Sequence, residues 1–376
     1  MSERATRGAK GDAKPEDPPR KRAEVVYRWD LDKTYIQTDF HSLTGLLRAM
    51  TETPAEKRPV PGMRALLQAL SRSRDARIIV VSGSPEMMRS RIAEMFELHG
   101  IRCDRLVLKP WAGAIAKGRF RNIRAQIAYK LRAHIETRLW LRTEHADAPE
   151  HCFGDDAEVD ALVYCLYNDV CARRIDATAL RALLQRCGAY EDEIAEILQL
   201  LAELPRDEPV RRVFVHLDAR SPPARYAPYR GRVTATFDAF QIAVSLAEAG
   251  HADDGVVAAV VNALVAQHRV DADAFAGSLE DAVARGLAGR DCALRLAQTV
   301  LPATEAAAAG FDEVVAARLS RRLQSYPAKL GPRTFESLPY DELLTEEAAF
   351  AAARRLARKT AVKVGSLTGF LNPRDR

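Results

Sequence analysis

The chain has 376 residues, of which 47% are hydrophobic and 28% are charged, as in an ordinary soluble globular protein. This composition excludes a fully disordered chain, a collagen-like chain and a disulfide scaffold, and the length allows two or three domains. The net charge of +5 is too small to indicate nucleic-acid binding by itself. No apolar run approaches the ~20 residues that span a bilayer, and the 6 cysteines form no CxxC pair, so we expect a cytoplasmic protein with reduced thiols.

The first 24 residues are rich in charged residues, proline and glycine and poor in large apolar residues. They contain no apolar segment of the kind that a signal peptide needs, so we do not expect export. We interpret residues 1–24 as a disordered leader.

Short runs rich in β-branched and other apolar residues predict five strands, at residues 25–29, 77–81, 105–108, 151–153 and 212–217. Amphipathic helical patterns lie between them, at residues 61–71, 85–99, 121–140 and 177–201. This alternation predicts an α/β fold, a Rossmann-like, doubly wound parallel sheet with helices on both faces. Such sheets bind ligands at the carboxyl ends of their strands, so we expect the functional site there.

From about residue 251 the sequence is rich in alanine, leucine and valine at helical spacing and contains no convincing strand. We therefore predict an α/β region over residues 25–250, followed by an α-helical C-terminal module over residues 251–376. The sequence leaves open whether this module is a second domain or a layer packed on the sheet.

Three motifs follow three of the predicted strands. They are DLDKT from Asp30, SGSP from Ser82 and GDDAEVD from Gly154, and Lys130 lies in the helical pattern before the last of them. Each motif alone is weak, because acidic and hydroxyl residues at strand ends often only cap turns. Their conjunction at the same edge of one predicted sheet favours a functional site.

The acidic residues of these motifs predict a cation site. Asp30 and Asp32 are two residues apart in an extended segment, so their side chains point to one side, and Asp155 follows a neighbouring strand. Clustered carboxylates repel one another unless a cation lies among them, and an all-oxygen site suits Mg²⁺ together with substrate phosphate. Ser84 before Pro85 is a predicted helix cap, where backbone N–H groups bind anions. With a lysine as counter-charge, these features indicate phosphoryl transfer.

The same motifs resemble those of the haloacid-dehalogenase-like phosphatases. More narrowly, the chain resembles the phosphatidate phosphatase catalytic domain of actin-patch proteins and of bacterial relatives. The narrower resemblance rests on the serine and proline of SGSP, on YKLRAHI around Lys130 and on GDDAEVDALVY, which ends at Tyr164. It covers about residues 25–164 well and does not cover the helical C-terminal region. Lys33 and Asp156 depart from the family pattern, at positions that are often acidic or glycine and usually serine, respectively.

The resemblance implies a role for each matching residue. Asp30 would be the nucleophile, and Asp32 would protonate the leaving group and then activate water. Lys130 would neutralise the charge of the nucleophile and phosphate, with Lys109 as the rival lysine. Mg²⁺ would be held by Asp30, the main-chain carbonyl of Asp32 and Asp155, with either Asp160 or Asp156 completing the site. The substrate-binding residues would be Thr34, Ser82 and Gly83.

We see room for a small cap at most, so the site can admit a bulky substrate. The favoured function is a Mg²⁺-dependent phosphatase of phosphatidate or a similar lipid phosphate, cytoplasmic or peripheral at a membrane. A soluble metabolite or a nucleic-acid phosphate end is the alternative substrate. A third hypothesis is a regulatory or scaffold protein that binds partners through its helical module. The basic residues 117–134 and 354–363 fit an anionic lipid surface, although a solvated helix face is their default interpretation.

Overall fold

A computed structural model describes residues 22–37, 58–110, 123–331 and 336–368. Most of the predicted leader, residues 1–21, and the short stretch after the first motif, residues 38–57, lie outside the described residues. The strands form a six-stranded, fully parallel sheet in the order β3-β2-β1-β4-β5-β6. Their bounds are β1 Val25–Trp29, β2 Ala76–Pro85, β3 Arg105–Lys109, β4 Glu150–Asp155, β5 Val210–His216 and β6 Val233–Thr236. This topology confirms the predicted Rossmann-like α/β fold.

The α-helices follow the strands and continue to the C-terminal end of the described chain. Their bounds are α1 Met63–Arg72, α2 Arg89–Leu98, α3 Ile123–Thr143, α4 Asp160–Cys171, α5 Ala177–Arg186, α6 Glu191–Glu203, α7 Ala239–Glu248, α8 Asp254–His268, α9 Ala272–Ala284, α10 Arg290–Arg295, α11 Glu305–Ala308, α12 Glu313–Leu323 and α13 Tyr340–Thr368. Short 3-10 helices occupy Glu86–Met88, Pro223–Tyr229 and Leu301–Ala303, and a π-helical turn occupies Leu296–Val300. Among the described residues, we find no helix with both the length and the apolar character that crossing a membrane requires.

The structure corrects three local predictions. The β2 strand extends through Pro85 and leads into a three-residue 3-10 helix without a side-chain cap, so Ser84 does not cap a helix. Gly188 adopts a left-handed φ of +77°, which ends α5 and divides the single helix predicted over residues 177–201. The edge strand β6 was not predicted, because its four residues are too short for a clear strand pattern.

Side chains of β1 alternate between the two faces of the sheet, as strand geometry requires. Tyr27 and Trp29 belong to a core shared with α1, α2 and the helices α7–α9 and α12. The rings of Trp29, Phe153 and Phe214, on neighbouring strands, stack with centroid distances of 4.2 and 5.1 Å. Helices from the C-terminal region are therefore a layer packed on this face of the sheet, while the boundary at residue 250 stays a prediction.

The opposite face of the sheet carries α3, α4 and the first turns of α13. Leu338, Tyr340 and Leu343 belong to the same core as α4 and β5. On this face Arg28 of β1, fully buried, forms an ion pair with Glu150 of β4 and donates a hydrogen bond to the α3 side chain of Thr137. The C-terminal region thus contributes helices to both faces, and α3 is held to the strands by a buried hydrogen bond as well as by apolar packing.

Candidate active site

The first motif begins where β1 ends, beside the point at which the strand order reverses between β1 and β4. The backbone N–H of Asp30 donates a hydrogen bond to the carbonyl of Phe153 on β4 at 2.8 Å, which fixes Asp30 to the sheet edge. Lys33 has a left-handed φ of +62°, and the chain turns back so that the amides of Tyr35 and Ile36 bond to the carbonyl of Leu31. This tight turn keeps the motif compact at the carboxyl end of the sheet.

The last motif connects β4 to α4 and brings two carboxylates back to the first motif. Asp155 is the last residue of β4 and Asp160 is the first residue of α4. Asp155 Oδ1 accepts the amides of Ala157 and Glu158, which orders the loop between them. A Cβ atom at Gly154 would lie 2.4 Å from the Cβ of Asp160, so the close approach of α4 to the strand end requires glycine here.

Asp30, Asp155 and Asp160 form one buried cluster. One carboxylate oxygen from each lies within 4.8 Å of the others. Burial raises the pKa of all three carboxyls, neighbouring carboxylates raise it further, and Lys130 opposes both effects. Asp30 Oδ2 and Asp155 Oδ2 are buried and have no hydrogen-bond partner among the described residues. Buried, unpartnered carboxylate oxygens are the donor set that a hard divalent cation requires, so the residues present fit such an ion.

Lys130 of α3 provides the counter-charge inside this cluster. Its Nζ donates hydrogen bonds to Asp30 Oδ1 and to Glu158 Oε2, both at 2.9 Å, and also to Asp160 Oδ1. Burial alone would lower the pKa of this ammonium group, but the carboxylates of Asp160, Asp30 and Glu158 outweigh it and hold the pKa well above its usual range. Lys130 is therefore a buried cation bonded to the proposed nucleophile.

Lys109, the rival lysine, is also buried, and its Nζ lies 5.1 Å from the ring centroid of Tyr129. The Tyr129 hydroxyl donates a hydrogen bond to the carbonyl of Ser82 at 3.1 Å. Lys109 therefore lies on the side of the second motif, whereas Lys130 lies among the carboxylates.

The second motif faces Asp32 rather than the carboxylate cluster. Asp32 Oδ2 accepts hydrogen bonds from the hydroxyls of Ser82 at 3.2 Å and Ser84 at 2.8 Å. Ser82 Oγ in turn accepts the backbone N–H of Ser84 at 3.0 Å. The two serines hold the Asp32 carboxylate in one orientation, which suits a group that must give and take a proton.

Thr34 and Gly83 are the two other residues predicted to bind substrate. The buried hydroxyl of Thr34 has no hydrogen-bond partner among the described residues. A Cβ atom at Gly83 would meet nothing closer than the side-chain amide of Gln126 at 3.8 Å.

Asp156, the alternative to Asp160 as a metal ligand, directs its carboxylate to the backbone amides of Ala219 and Ser221 at 2.7 and 2.9 Å. Asp156 thus orders a neighbouring loop, and Asp160 is the residue that joins the cluster.

The structure brings three residues to the site whose contacts there the sequence did not predict. Glu158 bonds to Lys130, and Ser84 bonds to Asp32. Lys33 is buried, and its positive charge lowers the pKa of Asp155 against the larger effect of burial. All three lie within the recognised motifs, but nothing in a linear pattern shows which side chains turn inward.

Comparison with known families supports a phosphatase. Residues 29–182 match the model of a family described as phosphatidate phosphatase APP1, catalytic domain. The chain contains a phosphatase domain. This domain is a phosphoric monoester hydrolase by family, and the match confirms the resemblance that the motifs predicted.

The matched segment begins at Trp29, the last residue of β1, and contains β2, β3, β4 and the motif residues and Lys130, whereas β5, β6 and the helices from α6 onward lie beyond it. No curated protein and no solved structure matched the chain. The family match therefore assigns no role to residues 183–376.

Proposed function

We propose that the protein is a Mg²⁺-dependent phosphatase that hydrolyses a phosphate monoester through an aspartyl-phosphate on Asp30, with phosphatidate or a similar lipid phosphate as its substrate. The observation that carries this proposal is the buried cluster of Asp30, Asp155 and Asp160 around Lys130, within a segment that matches a phosphatidate phosphatase domain. Carboxylates and one buried cation are what phosphoryl transfer needs for positioning and charge neutralisation.

The residues that would hold Mg²⁺ are Asp30, Asp155 and Asp160, with the main-chain carbonyl of Asp32 as a further oxygen ligand. When bound, the ion neutralises negative charge on the phosphoryl group and on the attacking carboxylate. The unpartnered Oδ2 atoms of Asp30 and Asp155 support this assignment, because an unligated buried carboxylate oxygen is costly.

In the first step an oxygen of Asp30 attacks phosphorus, and the bond from phosphorus to the alcohol oxygen breaks. Asp32 donates its proton to the departing alkoxide, so the alcohol leaves neutral. Lys130, bonded to Asp30 Oδ1, keeps that carboxylate oriented and offsets charge as the transferred group approaches. Thr34, Ser82 and Gly83 bind the phosphate oxygens in this proposal.

In the second step Asp32, now ionised, takes a proton from water, and the resulting hydroxide attacks phosphorus. The bond from phosphorus to Asp30 breaks, which releases inorganic phosphate and restores both aspartates to their initial states. The hydroxyls of Ser82 and Ser84 on Asp32 Oδ2 support its role in both steps, because they hold the carboxylate in one orientation.

Asparagine substitutions at Asp30, at Asp155 and at the neighbouring Asp156 test the catalytic assignment. We expect D30N and D155N to lose phosphate release on a soluble phosphomonoester by about 10³-fold or more, since each removes charge from the reacting centre. D156N is the matched control, because its carboxylate faces backbone amides of the neighbouring loop; we expect it to retain most activity. Unchanged phosphate release by D30N would overturn the assignment of the nucleophile.

The substrate is tested by comparing phosphatidate in mixed vesicles with soluble phosphomonoesters, each with Mg²⁺ and with a chelator. We expect hydrolysis in Mg²⁺, none after chelation, and the highest kcat/KM on phosphatidate. A higher kcat/KM on a soluble metabolite or on a nucleic-acid phosphate end would replace the lipid substrate but keep the chemistry. Full activity in the presence of the chelator would contradict the proposed dependence on Mg²⁺.

A further inference from the structure

The C-terminal helix α13 is anchored to α4 by its first turns. The hydroxyl of Tyr340 donates a hydrogen bond to Asp169 Oδ2 of α4 at 2.7 Å, and Leu343 and Leu344 are buried in the core that contains α4. The α4 helix also carries Asp160 at its first position. One end of α13 is thus packed against the helix that supplies a carboxylate of the site.

A second contact joins α13 to the last motif. Arg225 Nη1 donates a hydrogen bond to the carbonyl of Asp156 at 2.9 Å, and Arg225 Nη2 pairs with Glu347 of α13 at 2.5 Å. The hydroxyl of Tyr229 donates to the other oxygen of Glu347 at 3.1 Å. The ring of Phe350 lies under the Arg225 guanidinium, 3.5 Å from its centre. Arg225 therefore links α13 to the loop after Asp155.

Charge is strongly segregated along this helix. The acidic residues Asp341, Glu342, Glu346 and Glu347 all lie in its docked first turns, and residues 348–368 contain no acidic residue. The basic residues Arg354, Arg355, Arg358, Lys359 and Lys363 all lie in the second part. We call residues 350–368 the basic segment; at 1.5 Å per residue it is about 28 Å long.

The basic segment is also amphipathic in its sequence. At 100° per residue, its five basic positions fall within one half of the helical projection together with Val362, and Leu356, Val364 and Leu367 fall in the other half with Ala353, Ala357 and Ala361. An apolar arc opposite a basic arc is the pattern of helices that lie in a membrane interface. A nucleic acid would engage the basic arc but would give the apolar arc no partner, so the pattern favours lipid.

We propose that the basic segment of α13 binds an anionic lipid surface and holds the phosphatase domain there. Lipid binding by the segment does not depend on the proposed function. Only its role, which is to bring the site to a lipid phosphate, rests on that function. The anchor through Tyr340, Glu347 and Arg225 makes the segment a continuation of the catalytic domain, because the helix runs unbroken from Tyr340 to Thr368. A surface bound by the segment is then tied directly to the edge of the site.

The test is co-sedimentation of the full chain with vesicles of phosphatidylcholine alone or of phosphatidylcholine with phosphatidylserine, neither of which is the proposed substrate. The segment variant combines R355Q, R358Q, K359Q and K363Q. The matched control combines R72Q, R74Q, R91Q and R321Q, which changes the net charge equally at exposed positions elsewhere. We expect wild type and control to bind the anionic vesicles, and the segment variant to bind at least about tenfold more weakly.

A second variant, V364S with L367S, tests the apolar arc and keeps every charge. We expect it to weaken vesicle binding several-fold and to leave binding to a single-stranded DNA oligonucleotide unchanged. The proposal is overturned if the segment variant binds anionic vesicles as tightly as the control does. It is also overturned by a second combination of results, in which V364S with L367S has no effect on vesicle binding and the segment variant loses binding to DNA and to vesicles equally. That combination would indicate a general polyanion site.

Hydrolysis of a soluble phosphomonoester separates this inference from the proposed function. We expect the segment variant to retain wild-type turnover on that substrate, because its four substituted positions are not among the residues to which the proposed chemistry assigns a role. Wild-type protein that binds anionic vesicles but hydrolyses no phosphomonoester would contradict the proposed function and leave the lipid-binding inference standing.

Discussion

Lys130 Nζ donates a hydrogen bond to Asp30 Oδ1 across 2.9 Å, although the two residues are 100 positions apart in the chain. Both side chains are almost fully buried. Breaking a buried pair by removing one partner leaves an uncompensated charge, so this contact links the stability of the sheet edge to the chemistry of the site.

Replacing Lys130 with methionine should remove activity and reduce stability. We expect K130M to lose about 10²–10³-fold in kcat, as when one electrostatic stabiliser is removed. We also expect a loss of about 3 kcal/mol in the free energy of unfolding, because three buried carboxylates lose their cation. Phosphate release and urea unfolding measure the two effects.

K109M is the control for this substitution, because Lys109 lies over the ring of Tyr129. We expect it to keep the larger part of kcat. If K109M were the inactive variant and K130M the active one, the roles of the two lysines would have to be exchanged.

Adding a methyl group at Gly154 should disturb the last motif. The new Cβ would lie 2.4 Å from the Cβ of Asp160, so G154A must displace either the strand end or α4. We expect a loss of about 1–3 kcal/mol in the free energy of unfolding, together with a large loss of kcat.

G277A is the matched control for that substitution. Gly277 lies inside α9, and a Cβ there would meet no atom within 4 Å. We expect G277A to raise the free energy of unfolding by about 0.5–1 kcal/mol, as alanine does in a helix interior, without changing kcat. Equal effects of the two substitutions would refute the steric argument.

Neutralising Glu347 should loosen the contact between α13 and the last motif. Arg225 then loses its charged partner and holds the carbonyl of Asp156 less firmly. We expect E347Q to lower the free energy of unfolding by about 1–3 kcal/mol and to lower kcat several-fold. E346Q, at the adjacent exposed position, should match wild type in both assays. A wild-type kcat in E347Q would show that α13 does not influence the site.

His99 should make stability depend on pH below neutrality. The hydroxyl of Tyr35, in the turn after the first motif, lies 2.6 Å from His99 Nδ1, and burial lowers the pKa of His99 from 6.5 to about 4. Between these values the unfolded chain binds a proton that the folded chain does not. His99 therefore contributes stability that is complete above pH 6.5 and is lost as the pH falls towards 4.

Unfolding free energies of H99Q across this range should depend less steeply on pH than those of wild type. Part of the slope should remain, because burial also lowers the pKa of His134 and His151. H268Q, at the exposed end of α8, is the control, whose profile we expect to follow wild type. A wild-type slope in H99Q would exclude this role for His99.

Local sequence patterns were sufficient for five of the six strands and for the sheet edge at which the motif residues meet. Buried strands have continuous apolar runs, and β1 was predicted with its observed bounds, Val25–Trp29. Because parallel strands present their carboxyl ends at one edge, the motifs starting at Asp30 and Ser82 and the motif that contains Asp155 could be expected to meet. The matching family has confirmed the resemblance that these motifs carried.

Other features depended on contacts that no local pattern contains. The sequence did not show that Ser84 bonds to Asp32 or that Glu158 bonds to Lys130, because the direction of a side chain in a loop depends on the backbone turns around it. It left open Lys109 against Lys130 and Asp156 against Asp160, and the structure places Lys130 and Asp160 together.

By itself, then, the sequence determined the α/β class, the edge of the sheet that carries the site and the acidic chemistry found there, since all three follow from periodicity and from residue type at strand ends. The tertiary structure alone decided that helices α7–α9 cover one face of the sheet and that α13 reaches the last motif through Arg225 and Glu347. Helical periodicity shows that a helix has an apolar face but not which surface will bury it. That choice depends on packing between segments far apart in the chain.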